Sequence, residues 1–131
     1  MQFNSTNIGL RLQDMGNVSG GGAIDIRPGA DNVTVAGNHI GNDGDVDFGR
    51  FGVFVDANSA VIGGTSVADR NTISDTDSAI VVANGTGTTI SGNYLGVTPD
   101  GTAALQNGSD GVWVWAAAGN VTVGGSTVAQ R

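Results

Sequence analysis

Within the stretch from Ala79 to Arg131, Gly111-Val112-Trp113-Val114 repeats Gly52-Val53-Phe54-Val55. Thr122-Val123-Gly124-Gly125-Ser126-Thr127-Val128-Ala129-Gln130-Arg131 then repeats Val61-Ile62-Gly63-Gly64-Thr65-Ser66-Val67-Ala68-Asp69-Arg70. Between these blocks, Val35-Ala36-Gly37-Asn38-His39-Ile40-Gly41 returns as Ile90-Ser91-Gly92-Asn93-Tyr94-Leu95-Gly96. Similarity at a spacing of tens of residues marks a chain of stacked units, each burying its apolar face only against its neighbours. The repeat therefore decides the architecture before any local motif is weighed.

Short blocks with a small residue followed by alternating apolar positions define the unit: Gly9-Leu10-Arg11-Leu12, Ala23-Ile24-Asp25-Ile26, Gly52-Val53-Phe54-Val55, Ala79-Ile80-Val81-Val82 and Gly111-Val112-Trp113-Val114. Period-2 alternation sends Leu10/Leu12, Ile24/Ile26, Val53/Val55, Ile80/Val82 and Val112/Val114 inward and the middle residue outward. A second set supplies Val18, Val33/Val35, Ile62, Ile90 and Val121/Val123, and a third supplies Phe3, Ile40, Ile73 and Leu95. Three short strands per turn of chain, recurring in register, predict an all-β fold: a right-handed parallel β-helix (β-solenoid) of about five coils with uncapped ends. Coils starting near residues 9, 23, 52, 79 and 111 make residues 1–131 a single repeat domain, with projecting loops at 42–50 and 97–110.

The chain from Ala23 to Arg131, most specifically in the segments Ala60–Ser74 and Thr88–Asp110, resembles the parallel β-helix repeats of large secreted and surface proteins of bacteria, related in fold to pectin lyases. The resemblance implies the fold and an extracellular or cell-surface setting. It implies no activity, because function on such a scaffold lives in sites rather than in the fold.

Composition agrees with strands and turns. Gly is abundant at 23 residues, Val, Thr, Ile and Asn dominate, Cys is absent, and every charge comes from Asp or Arg. No helix of consequence is expected. The net charge of -7, with no basic cluster, argues against a nucleic-acid partner. No apolar run reaches the ~20 residues of a membrane-spanning helix, so membrane insertion is not expected.

The two ends of the chain fit one phase. At an offset of 70, Phe3 takes the place of Ile73 and Gly9 that of Ala79, so that 111–131 joined to 1–8 makes one further coil of 29 residues. Either copies stack head to tail, or the chain is a segment of a longer array. The expected partner is accordingly self or neighbouring repeats. Phe3, Leu10, Leu12, Val112, Val114, Val121 and Val123 are the residues expected to pack across that junction, whose open strand edges invite an open-ended heterologous contact.

Outward residues of the first strand are expected to stack as Arg11, Asp25, Phe54, Val81 and Trp113, with Trp115 nearby. Arg11 and Asp25 could pair, and the apolar part of this stripe would meet a like surface, a glycan, or the loop Asn42–Arg50 folded over it. In a stack, Trp113 would lie beside Arg11 of the next copy. Asp43, Asp45 and Asp47 alternate in a Gly-containing loop, the oxygen pattern calcium accepts, and no other cofactor is implied. Asn38 and Asn93 recur at one turn and are expected to form an amide ladder. No acid/base cluster converges on one strand face, so catalysis is not expected, while a carbohydrate-binding or polysaccharide-lyase-like module is the competing function to a filament or stalk.

Overall fold

A computed structural model describes the backbone of Gln2–Phe3 and Arg11–Leu12 together with residues 24–41 and 51–130. In chain order the strands are β1 (Gln2–Phe3), β2 (Arg11–Leu12), β3 (Ile24–Ile26), β4 (Thr34–Val35), β5 (His39–Gly41), β6 (Val53–Asp56), β7 (Val61–Gly63), β8 (Thr72–Ser74), β9 (Ile80–Asn84), β10 (Thr89–Ser91), β11 (Tyr94–Leu95), β12 (Val112–Val114) and β13 (Thr122–Val123). The described helical segments are two single 3-10 turns, Val67–Asp69 and Val128–Gln130. None of the described helices is long and apolar enough to cross a membrane.

The strands form three sheets, ordered β1-β3-β6-β9-β12, β2-β4-β7-β10-β13 and β5-β8-β11, and every pairing between them is parallel. The architecture is all-β and consistent with a β-solenoid. Register follows the repeat: Ile24, Val53, Ile80 and Val112 align in the first sheet, Val35, Ile62, Ile90 and Val123 in the second, and Ile40, Ile73 and Leu95 in the third. Each apolar side chain thus lands on an apolar neighbour one rung away.

The first rung differs from the sequence expectation. Phe3 aligns with Ile26 in the first sheet rather than with the Ile40–Ile73–Leu95 column, and Arg11–Leu12 pair with Thr34–Val35 in the second sheet rather than with Asp25 in the first. The four-residue pattern around Leu10–Leu12 suits either sheet, because both carry the same inward alternation. A local pattern therefore could not choose between them. The offset of 70 that set Phe3 on Ile73 is not the pairing the backbone adopts.

Ile24, Ile26, Val53, Val55, Ile80 and Val82 from the first sheet join Val33, Val35 and Ile62 from the second and Ile40 and Ile73 from the third in one buried core. Burial of that many branched chains supplies the main driving force, at roughly 1.5–3 kcal/mol per fully buried Val or Ile before chain entropy is subtracted. The turns place polar side chains where the chain bends. Asn38 and Asn71 are fully buried there and satisfied by one another.

Close stacking leaves no room for side chains at some corners. Gly63 has φ +87°, and a Cβ on it would lie 2.0 Å from the carbonyl oxygen of Ser91 on the next rung. Only glycine fits there, both for the left-handed backbone and for the approach of the neighbouring strand.

Candidate functional site: the end rung, its polar ladders and the aromatic face

β12 and β13 are the outermost strands of their sheets at one end. Their inward side chains repeat the core pattern but have no rung above them. Val114 is 42% exposed and Val123 59%, whereas Val82 and Ile90, their register partners one rung back, are 0% and 3% exposed. Val112 and Val121 are half-buried against the core. A cavity of about 170 Å³ opens among Ile90, Leu95, Val112 and Val123, with Asn93 and Gln130 at its polar rim. Val112, Val114, Val121 and Val123 thus share one face; Phe3 and Leu12 belong to the outermost strands at the opposite edges of the same sheets. Leu10 lies outside the described residues.

Two chains of side-chain hydrogen bonds run from rung to rung and end on this face. In the first, the Oδ1 of Asn71 accepts from the backbone N–H (3.0 Å) and Nδ2 (3.1 Å) of Asn38, and the Oδ1 of Asn93 accepts from the N–H (3.3 Å) and Nδ2 (2.9 Å) of Asn71. Nδ2 of Asn71 also reaches back to Val35 O (2.8 Å), and Nδ2 of Asn93 to Ile62 O (2.9 Å). The second has the opposite polarity: Asp31 Oδ1 accepts from Asn58 N–H (2.8 Å), Asn58 Oδ1 accepts from Thr86 N–H (3.1 Å), and Asn120 Nδ2 donates to Thr86 Oγ1 (3.2 Å). Asn38 and Asn93 were legible as a ladder pair from the shared Gly-Asn. Asn71 was not, because Arg70 precedes it; the signal that finds it is the common Asn-x-Ile/Leu of Asn71-Thr72-Ile73 and Asn93-Tyr94-Leu95.

The outward face of the first sheet carries Phe51, Phe54, Trp113 and Trp115 as one aromatic group. Phe51 and Phe54 are stacked at 5.8 Å, and Trp115 meets Phe54 (5.8 Å) and Trp113 (5.6 Å) edge-on. Such contacts add about 0.5–1.5 kcal/mol per pair beyond area burial. Val81, expected to face solvent, is fully buried although it points away from the core. It lies in register between Phe54 and Trp113, and Trp115 spans those two rings. The stripe is thus a second apolar layer with its rim showing: Trp113 is 45% and Trp115 37% exposed.

The backbone of Arg11 pairs in the second sheet, not beside the first-sheet strand that carries Asp25. Oδ2 of Asp25 is ion-paired to Arg27, two residues along the same strand direction, and Oδ1 has no partner among the described residues. The backbone of Arg11 belongs to the second sheet and so does not share the first-sheet column of Trp113, the register from which a cation–π contact was expected. A different one is present: the Arg70 guanidinium lies 4.0 Å from the centroid of the Tyr94 ring while its Nε donates to Gly92 O. His39, in register with Thr72 and through it with Tyr94, is exposed.

Asp43, Asp45 and Asp47 and the loop 42–50 lie outside the described residues. Among the described residues no group of three His, Cys, Asp or Glu could hold a metal ion. The second projecting loop is held by its own polar contacts. Thr98 N–H donates to Ala103 O, Leu105 N–H to Gly96 O, and a Cβ on Gly101 would lie 2.5 Å from the Tyr94 ring. At its tip Asp100 Oδ1 accepts from Thr98 Oγ1 (2.5 Å), Thr102 N–H (3.0 Å) and Thr102 Oγ1 (2.8 Å), with the Thr98 hydroxyl the largest of the influences that lower its pKa from 3.8 to about 2. The pKa is lower folded than unfolded, so the loop's contribution is present above the ordinary carboxylate pKa and is lost as pH falls through about 2. A carbon-detected NMR titration is expected to place the Asp100 midpoint near 2; a midpoint at the ordinary 3.8 would mean that the three donors do not hold the carboxylate.

The arrangement contains two surfaces able to engage something else: an apolar end face framed by free strand edges, and an exposed aromatic rim. Comparison of the chain with known protein families, with curated proteins and with solved structures gave no match.

Proposed function

We propose that the protein is a structural β-solenoid, right-handed and of about five coils, that builds an extracellular or cell-surface filament or stalk by coil-on-coil stacking of copies. The single observation that carries this reading is the end rung. Ile26, Val55 and Val82 in one column and Val35, Ile62 and Ile90 in another are buried, whereas Val114 and Val123, which continue them on β12 and β13, stand exposed beside unpaired backbone edges. Exposed apolar surface beside an open parallel edge is the surface strand addition consumes. β1 and β2 lie at the opposite edges of the same two sheets, so a translated copy continues both in parallel. The repeat's resemblance to bacterial surface β-helices supports the setting. Negative-stain electron microscopy of concentrated protein is expected to show unbranched filaments one solenoid wide; fields of isolated particles alone would refute the reading.

A second reading is favoured by the Trp113–Trp115 rim beside Phe54: a carbohydrate-binding or lyase-like module, since exposed indole rings offer flat faces to sugar C–H groups. Retention on a glycan array that is abolished by Trp115→Ala would select this reading. Absence of any retention would remove it.

A further inference from the structure

The sequence holds two Asn-Gly pairs, Asn84-Gly85 and Asn107-Gly108, and the fold treats them oppositely. Asn107 is locked in place. Its Oδ1 accepts from the N–H (3.2 Å) and Oγ1 (3.0 Å) of Thr76, its Nδ2 donates to Ile73 O (3.3 Å), and the Gly108 N–H donates to Thr76 O (2.8 Å). Asn84, the last residue of β9, is exposed. Among the described residues neither its carboxamide nor the Gly85 N–H has a hydrogen-bond partner. Gly85 has no side chain to shield its nitrogen, and its φ of +84° turns the chain out of the strand.

We propose that Asn84-Gly85 is a self-modifying site, at which the chain converts its own asparagine to isoaspartate and aspartate. The Gly85 backbone nitrogen attacks Cγ of Asn84. A new C–N bond closes a succinimide ring as the Cγ–Nδ2 bond breaks, and the proton lost by the nitrogen leaves, by way of solvent, with the departing ammonia. One water then opens the ring, at the main-chain carbonyl to leave isoaspartate or at Cγ to leave aspartate. No redox partner is needed, and water is the only co-reactant. At Asn107 the same ring closure requires the four hydrogen bonds around Asn107 and Gly108 to open first, which holds it back at least about 30-fold.

The product forms where the structure feels it. Asn84 is in register with Asp56, so either product sets a second carboxylate beside the first. Isoaspartate also lengthens the main chain just before Gly85, whose carbonyl accepts from Gly119 N–H (2.9 Å) and whose Cα faces Ala57 O, 2.1 Å from where a Cβ would stand. Loss of ammonia makes the conversion irreversible, so the strain falls on the product and loosens the corner between β9 and β10.

The test ages the full chain at mildly alkaline pH, folded and in concentrated urea, and follows both sites by peptide mapping, with isoaspartate located by electron-transfer fragmentation. In the folded chain Asn84 is expected to convert at least about 30-fold faster than Asn107, and in urea the two are expected to react at like rates. Asn84→Gln, which closes the corresponding larger ring far more slowly, is expected to abolish conversion at this position. The converted fraction, separated by anion exchange, is expected to melt lower by about 2–5 °C. Equal folded rates at the two sites would overturn the proposal, as would a folded Asn84 that stays inert while urea lets both sites convert. A converted fraction that melts with the parent would overturn the loosening of the corner.

Discussion

Replacing Asn71 by alanine is expected to lower stability by about 4 kcal/mol, the largest loss of any single polar side chain in the described structure. Asn71 is fully buried and its carboxamide is used on both sides: two donors of Asn38 enter its oxygen, and its nitrogen serves Val35 O and Asn93 Oδ1. Truncation removes the acceptor of the Asn38 N–H, one of the two acceptors of Asn38 Nδ2, and the side-chain donor to the Val35 carbonyl, where water does not reach. Each buried unpaired group costs about 1–3 kcal/mol, and partial relaxation brings the total below their sum. Asn93→Ala is expected to cost about half as much, because Asn93 is partly exposed and water can replace its lost partners. Urea unfolding of the two variants checks this ordering. An Asn71→Ala protein within about 1 kcal/mol of wild type would show that the ladder is not a principal support of the turns.

Gly63→Ala and Gly124→Ala are expected to behave oppositely in folding and in stacking, although the two glycines hold equivalent places in the repeat and nearly the same φ, +87° and +88°. At Gly63 the new methyl meets the Ser91 carbonyl and the Asn93 carboxamide of the next rung, so left-handed strain and a backbone collision combine to a loss of about 3–5 kcal/mol. At Gly124 nothing lies within 4 Å, and only the left-handed strain of about 1–2 kcal/mol remains. A neighbour that repeats the internal geometry brings its own carbonyl to that spot. Gly124→Ala is therefore expected to fold and to fail to assemble, as read by thermal melts alongside light scattering. Assembly at the wild-type concentration would mean that the neighbour does not sit as an internal rung does.

The strand columns were legible because the inward positions of successive rungs are aligned by the same period-2 pattern: Val53, Ile80 and Val112 could be placed in one sheet from their flanking Gly or Ala alone. The first rung was not, since Leu12 and Phe3 carry an alternation common to all three sheets, and pairing was settled by which edge the short backbone segments reach. Val81 reads as an outward apolar residue and does point outward. It lies in register between Phe54 and Trp113, and Trp115 packs edge-on against both of those rings, contacts between rungs that no local pattern encodes. The same alternation set Arg11 beside Asp25 in the sequence, whereas the Arg11 backbone joins the second sheet and Asp25 is ion-paired to Arg27. Asp31, Asn58, Thr86 and Asn120 were not legible as a ladder because three kinds of side chain fill it, united only by a turn that directs an oxygen at the next rung.

The central claim is that the exposed valines and free edges of the end rung are a site for a second copy. Sedimentation velocity of the wild-type chain across a hundredfold rise in concentration tests it most directly. The account predicts an open-ended series of species that lengthens with concentration; a single boundary at the monomer mass throughout would contradict it.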